Sequence, residues 1–411
     1  MTPRSTAGGL ACLLAVCAAT AAGAQTLPSE PIALADGRVT IGSDVAATFG
    51  SLDPGFFDYT DYSHSALRLL RLDVSAQVKA GPHFTLLGEI RTENGERPLP
   101  YAFFLRIRPW TARDFDVQVG RIPPTFGAFT RRTYPTDNPL IGYPLAYQYL
   151  TTLRPDSVPA SADELLRKRS LGWELAYSVG DPNRVAGVPL VSAFRWATGI
   201  QAHTTIGMVS ATAAVTTGTL SEPQMSDGTN SRQVVGRVEL RPVPGLIAGA
   251  SAARGPFVTQ GVARAATGDP ENGDLTQTAW GADVEYSRGY YVVRWEAIAS
   301  AWRLPIAPTP SQLLPLTGAL SSVSHSIEAK YKLRPGLYVA ARYDHLGFSE
   351  VSSATLGTLP WDAPVARTEI GAGYSIQRNL LLKGSVQRNT RDGGVLLRHS
   401  VLAAGQLVFW F

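Results

Sequence analysis

The sequence predicts an all-β fold, a single antiparallel barrel of about sixteen strands, with eighteen as the fallback count. Three observations lead there. From Gly37 to Phe411 the chain repeats stretches of about ten residues that alternate apolar with polar, the period-two mark of strands with two unlike faces. Short and long breaks alternate between those stretches. The last stretch ends in an aromatic run, Phe409-Trp410-Phe411.

The alternation comes first because it says what the two faces touch. In Thr276 to Tyr286, Trp280, Ala282, Val284 and Tyr286 share one face, while Gln277, Asp283 and Glu285 share the other. Val323 to Leu333 and Arg367 to Ile376 repeat the arrangement, with Glu328, Lys330 and Lys332 and then Arg367 and Glu369 on the polar side. A face this charged cannot form the core between two stacked sheets. It suits the inside of a cylinder that holds water, with the apolar face turned to lipid. Hydrophobic residues make up 45% of the chain, yet no stretch reaches the roughly 18 consecutive apolar residues of a membrane helix. The apolar residues are spread through strands instead.

The breaks fix the parity. Short ones fall near Gly81-Pro82, Pro109 to Arg113, Ala202 to Thr205, Pro242 to Gly245, Arg288-Gly289, Arg334 to Gly336 and Gln377 to Asn379. Long ones fall at 51–64, 94–99, 122–190, 218–231, 256–274, 304–319, 348–365 and 390–396. Such alternation is what turns on one side of a membrane and loops on the other require, with both chain ends on the turn side. The count comes out even only if 170–179 belongs to the long third loop.

The N-terminus gives the compartment. Arg4, the apolar run Gly8 to Ala22 and the small-residue site Ala22-Gly23-Ala24 read as a secretory signal peptide. Leu14 to Cys17 is a poorer match to a lipoprotein site. The expected organisation is a signal at 1–24, a short segment at 25–35 and a barrel at 36–411 that contains the loop 122–190. Both cysteines, Cys12 and Cys17, fall within the signal, so the mature chain carries no thiol for a disulfide, nucleophile or metal site. A net charge of +4 from 37 basic and 33 acidic residues is too small and too scattered for a nucleic-acid partner.

The terminal stretch puts Val401, Ala403, Leu407, Phe409 and Phe411 on one face. Here the chain resembles outer-membrane barrel proteins, whose last strand ends in an aromatic residue read by the barrel-assembly machinery. The resemblance implies Phe409 and Phe411 as the assembly signal. Aromatic residues near strand ends, Tyr101, Trp110, Trp196, Tyr286, Tyr290, Tyr291, Tyr338, Tyr343 and Trp410, are expected in interfacial girdles. The stretch Asp116-Val117-Gln118-Val119-Gly120-Arg121-Ile122-Pro123-Pro124-Thr125-Phe126-Gly127 resembles the strand-to-loop passage of phosphate-selective-type porins and of related uncharacterised porin families. A lysine ladder is missing, with Arg121 and then Arg131-Arg132 instead, so phosphate specificity does not follow.

Loops as long as 122–190 are uncommon unless functional. This one carries Leu140-Ile141 and Leu145-Ala146, apolar pairs that folding into the lumen would bury, along with Tyr134, Tyr143, Tyr147, Tyr149, Asn138 and Arg154. Ser161-Ala162-Asp163-Glu164 is a capping box predicting a short helix through Arg169. The residues expected to line or constrict the lumen are Arg71, Glu89, Arg106, Arg108, Arg121, Arg131, Arg132, Arg154, Arg294, Lys330 and Arg342. They sit among further inward charges of both signs, including Asp44, Asp73, Arg91, Arg237, Glu239, Asp283, Glu296, Glu328, Glu369 and Lys383, with bases in modest excess.

Together these features imply an exported outer-membrane pore for small polar solutes, weakly favouring anions. Its expected partners are outer-membrane lipid and lipopolysaccharide, the barrel-assembly machinery and small polar or anionic solutes, with a homotrimer as one assembly the resemblance allows. No cofactor or metal is expected, and no catalytic residue. The six histidines, His64, His83, His203, His325, His345 and His399, show no ligand spacing, and neither a Gly-x-Ser-x-Gly elbow nor a phosphate-binding glycine loop is present. The alternatives are a receptor or adhesin acting through its loops and, further off, a barrel enzyme. Replacing Phe411 with Ala should lower the amount of protein assembled in the membrane far more than it changes the conductance of the molecules that do assemble. Equal surface abundance at equal synthesis would count against that role for the terminal aromatic.

Overall fold

The computed structural model describes residues 28–59, 64–193, 195–223, 232–269, 275–306 and 319–411. The expected signal peptide lies outside the described residues. Sixteen strands follow one another around a single closed wall: β1 (Val39–Gly50), β2 (Leu70–Ala80), β3 (Phe84–Glu93), β4 (Leu99–Ile107), β5 (Phe115–Arg121), β6 (Thr198–Ile206), β7 (Val209–Thr216) and β8 (Gln233–Val243) form one half. The other half is β9 (Leu246–Pro256), β10 (Thr276–Arg288), β11 (Tyr291–Trp302), β12 (Leu320–Arg334), β13 (Leu337–Phe348), β14 (Val365–Gln377), β15 (Leu380–Arg391) and β16 (His399–Trp410). Each pairs antiparallel with the next, and β16 returns to β1 from Asp44↔Trp410 to Gly50↔Ala404. Reciprocal bonds of 3.1 Å between Ser43 and Phe411 extend that seam. Where β16 runs out, the short strand Ile32–Leu34 covers Val39–Ile41. Closure pairs the backbone groups of the wall, which lipid would leave unsatisfied.

The wall is apolar outside and polar inside. Phe49, Val401 and Trp280 are 75%, 70% and 64% exposed, whereas Asp344, Arg367 and Glu369 are fully buried. Period-two alternation produces this inversion once the sheet closes around its polar face. The aromatic residues divide by the same parity. Trp110, Tyr290, Tyr291 and Tyr343 are exposed on the outer surface or its rim. Tyr101 and Tyr338 are instead buried in the lumen, Trp196 packs on the interior core, and Trp410 packs beside Val408. These four were expected in the girdles. Tyr338 shares its face with Arg342 and Asp344, so nearness to a strand end was a poorer guide than parity.

Seven short connections lie on one rim and eight long ones on the other. The third long connection runs from Ile122 to Ala197 and contains 170–179, so the strand count stays even. It folds into the lumen. Within it lie a 3-10 turn (Phe129–Arg132), helix α1 (Leu145–Gln148), helix α2 (Ala162–Arg167) and a two-residue pairing of Ser157–Val158 with Val179–Gly180. Ser161 caps α2 by accepting from the Glu164 backbone N–H at 3.2 Å, and Glu164 reaches back to the N–H of Ala160 at 2.8 Å. The helix stops short of Arg169 because the chain turns away there, with Ser170 at a φ of 70° and its N–H donated to Asp362.

The outer half of the lumen is a packed apolar core. Phe57 of the first long connection, Phe126, Phe129, Tyr147, Leu165 and Leu190 of the third, and Leu220 of the fourth meet there. Phe257 and Val262 of the fifth, Leu304 and Ile306 of the sixth and Trp361 of the seventh complete it, with Val262 on helix α3 (Gln260–Thr267). Trp361 packs edge-on against Phe348 at 4.6 Å and Trp302 at 5.8 Å between ring centres. Ordering a loop costs about 1–2 kcal/mol per residue, and burying a large apolar side chain returns about 1.5–3 kcal/mol. The pairs Leu140-Ile141 and Leu145-Ala146, all buried, supply part of that return. Beside Trp361, Asp362 accepts from the N–H groups of Thr152, Ser170 and Ala363 at 2.7–2.9 Å, and burial still pushes its carboxyl above the usual range. Truncating Trp361 to Ala should remove about 3–5 kcal/mol from this core. Protease should then cut the third loop much faster in a barrel that keeps its heat-resistant electrophoretic mobility, and unchanged protection would mean that the core does not hold the loop.

Candidate functional site

The third loop leaves the wall through a backbone that only particular residues allow. Gly120 has a φ of +129°, and a Cβ there would lie 2.4 Å from the Phe103 carbonyl oxygen, so the last turn of β5 needs glycine. Pro123 and Pro124 keep the chain extended. At Gly127, with a φ of +77°, a Cβ would meet the Tyr147 hydroxyl at 2.3 Å, and the chain bends into the 3-10 turn that presents Arg131 and Arg132.

From there the loop is bonded to the wall on nearly every side. The Tyr134 hydroxyl donates to Glu89 on β3 at 2.7 Å, and the Tyr143 hydroxyl accepts from Arg71 on β2 at 2.8 Å. Thr125 donates to Gln201 on β6, and the N–H of Gly127 to Ser251 on β9. Arg131 pairs with Glu239 on β8 at 2.8 Å, and Arg132 with Glu328 on β12 at 2.9 Å. Glu296 on β11 accepts from the Ala128 N–H at 2.6 Å and the Tyr147 hydroxyl at 2.7 Å. On β14, Glu369 takes the N–H groups of Ile141 and Gly142 at 3.2 and 3.0 Å. The ammonium of Lys383 on β15 donates to the carbonyls of Pro135, Asn138 and Leu140 at 2.8, 3.1 and 3.2 Å. Wall charges thus find partners in the backbone and side chains of the loop.

The residues expected to line the lumen fall into three groups. Arg131, Arg132 and Arg294 border one cavity of about 190 Å³, together with Arg237, Arg241, Glu239, Asp283, Glu285, Glu296 and Glu328. Arg294 bridges Glu285 at 2.6 Å and Glu328 at 3.0 Å. Glu89 borders a second cavity of about 450 Å³ beside β1 to β4. Others are inside the barrel but occupied in structural bonds. Arg71 is paired with Glu93 at 2.8 Å, and Arg342 with Asp344, Glu369 and Glu328 at 2.7–3.4 Å. Arg106 is paired with Asp116 at 2.7 Å, and the Lys330 ammonium lies 4.1 Å above the Tyr338 ring centre. Arg121 is buried and donates to the Tyr101 carbonyl.

The remaining two lie elsewhere. Arg108 is exposed beyond the end of β4 on the short-turn rim, because that strand stops at Ile107. Arg154 is buried within the loop, held by Asp156 at 2.8 Å and by the carbonyls of Leu175 and Asn183. Its charge organises the loop and borders neither cavity. Arg391, Asp58 and Asp53 were not singled out in the sequence. Arg391 reaches Gly55, Tyr149 and Leu397, Asp58 pairs with Arg367 at 2.9 Å, and Asp53 caps Phe57 and Asp58. Arg391 was findable, since it continues the inward parity of Lys383, Ser385, Gln387 and Asn389. Among the described residues no group of three His, Cys, Asp or Glu side chains could hold a metal ion.

No family model matches the sequence, and neither does any curated protein. Solved structures do. OmpF of Salmonella typhi, in complex with daunomycin, is similar with a TM-score of 0.53 at 12% identity, over 91% of this chain and 97% of that one. OmpT, an outer membrane protein of Vibrio cholerae, gives 0.51 at 10% identity over 92% and 100%. Its mutant lacking loop L8 gives 0.52 at 10% identity over 91% and 99%. At such identities the likeness is one of fold: a β-barrel like those of porin-type outer membrane proteins, without attachment to a specific phosphate-selective family.

Proposed function

We propose that the protein is a porin-type channel of the outer membrane that passes small polar solutes passively, with the third loop setting the width of the passage. The observation that carries this reading is the loop Ile122–Ala197, bonded by its own backbone to charged side chains around the lumen of a wall too wide to be filled otherwise. A weak preference for anions would come from Arg131 and Arg241, whose side chains are 43% and 55% exposed beside the smaller cavity. Both are paired with Glu239, which keeps the preference small. The reading assigns no reaction. It includes export through a Sec-type signal, insertion by the barrel-assembly machinery and contact with lipopolysaccharide, and it allows a homotrimer.

A second reading, a barrel that acts through its loops as a receptor or adhesin, draws support from the packed core across the outer half of the lumen. Conductance separates the two. Arg121 and Thr198 are cross-strand partners at the base of the loop, so residues 124–195 can be replaced by a short glycine-containing turn without moving β5 or β6. In planar bilayers the shortened barrel should show a severalfold larger single-channel conductance than the parent. A parent and a shortened barrel that conduct equally would remove the loop from the passage. A parent that does not conduct at all would favour the second reading.

Charge gives an independent check. Reversing Arg131 and Arg132 to Glu should move the zero-current potential in a salt gradient toward cation preference. The shift should shrink as salt rises, because the screening length falls from about 10 Å at 0.1 M to about 3 Å at 1 M. Selectivity that ignores the double reversal would place both arginines outside the conducting path.

A further inference from the structure

We infer that the cavity beside β1 to β4 is a binding site for a small organic cation, an amine or guanidine carrying an apolar or aromatic group. The cavity of about 450 Å³ is lined by three carboxylates, Asp44, Asp73 and Glu89, and by the aromatic rings of Phe104, Tyr134 and Trp196. Among the described residues no lysine or arginine lines it. Its volume lies within the range of about 300–1,000 Å³ usual for small-molecule sites. The rim residues Pro31, Thr40 and Phe411 also border it, so it opens toward the short-turn side of the barrel.

Two of the three carboxylates share one guanidinium, that of Arg91, so three acids face a single base. Asp73 holds Arg91 at 2.5 Å, and Arg71 on the same wall is taken by Glu93. Among the described residues, Asp44 Oδ1 and Glu89 Oε1 receive no hydrogen bond. Glu89 is itself about nine-tenths buried, with its other oxygen fixed by Tyr134 and the nearest guanidinium nitrogen 3.7 Å away on Arg91. Three acids against one guanidinium leave negative charge along this cavity, and a cation offsets it.

The wall already holds one cation in this manner. The Arg91 guanidinium lies 3.5 Å from the Tyr101 ring centre and 5.8 Å from that of Tyr134, while bonding Asp73. Trp196 stands 5.1 Å from Tyr101 and 6.4 Å from Phe104, extending the aromatic surface beyond the reach of Arg91. Rings and carboxylates together select an organic cation over an anion or a neutral solute. The carboxylates do not form a cage for a bare metal ion, which separates this site from a divalent-cation site.

The test is a calorimetric titration of the full chain, folded in detergent, with benzylammonium chloride, benzyl alcohol and potassium chloride. Benzylammonium should bind at least about tenfold more tightly than its neutral analogue, and potassium should not compete. Asp44→Asn should weaken benzylammonium by about tenfold and leave benzyl alcohol unchanged. Trp196→Leu should weaken both. Equal binding of benzylammonium and benzyl alcohol by the parent overturns the proposal, whether or not any variant folds. So does an Asp44→Asn barrel of unchanged heat resistance that binds benzylammonium as the parent does. The readout is binding alone, so a barrel that binds without conducting would count against the channel reading and not against this one.

Discussion

Sixteen strands that close on themselves enclose a space wider than their own side chains can fill, and the rest of this structure is an answer to that space. The closed ladder satisfies the wall backbone but does nothing for the interior. Inward positions must be polar if the interior is wet, and polar side chains gathered at close range must be paired. Residues 122–197 enter because they can meet both demands, offering apolar side chains to one another and peptide groups to the wall.

The bonds between wall and loop explain why so many charges are tolerated. A buried ion that loses its partner costs several kcal/mol, and one bonded on all sides costs little. Lys383 faces three carbonyl oxygens of the loop, and Arg342 faces three carboxylates and the Gly142 carbonyl. The inner wall is therefore not a ladder of free charges. Two of the cavities among the described residues have different linings, one of arginine and glutamate together and one of carboxylate and aromatic groups.

Much of this was legible in the sequence. Period two sorted Trp280, Val284 and Tyr286 from Asp283 and Glu285, and the structure keeps that division because closure fixes which face is inside. The alternation of breaks gave the even count once 170–179 was placed in the third loop. The apolar pairs at 140–141 and 145–146 were enough to send that loop inward. The partners were not legible. Nothing local links Glu369 to Ile141 or Arg131 to Glu239, which meet only because the barrel brings distant strands around one loop. Arg154 failed as a lining residue for that reason, since its nearness to other loop arginines in sequence says nothing about which side of the loop it occupies. Trp196 and Tyr338 were misplaced because an aromatic near a strand end can face either way.

The seam between β1 and β16 joins residues at opposite ends of the chain, Asp44 to Trp410. Loop-closure entropy makes such a pairing among the last to form. Yet Leu140 and Tyr338 pack in one cluster with Ala46 and Val408, residues that face each other across or beside this seam. The third loop therefore lays Leu140 against the place where the first and last strands meet. Closing the cylinder and filling it thus share residues, and the inserted segment lies against the joint that shuts its own container.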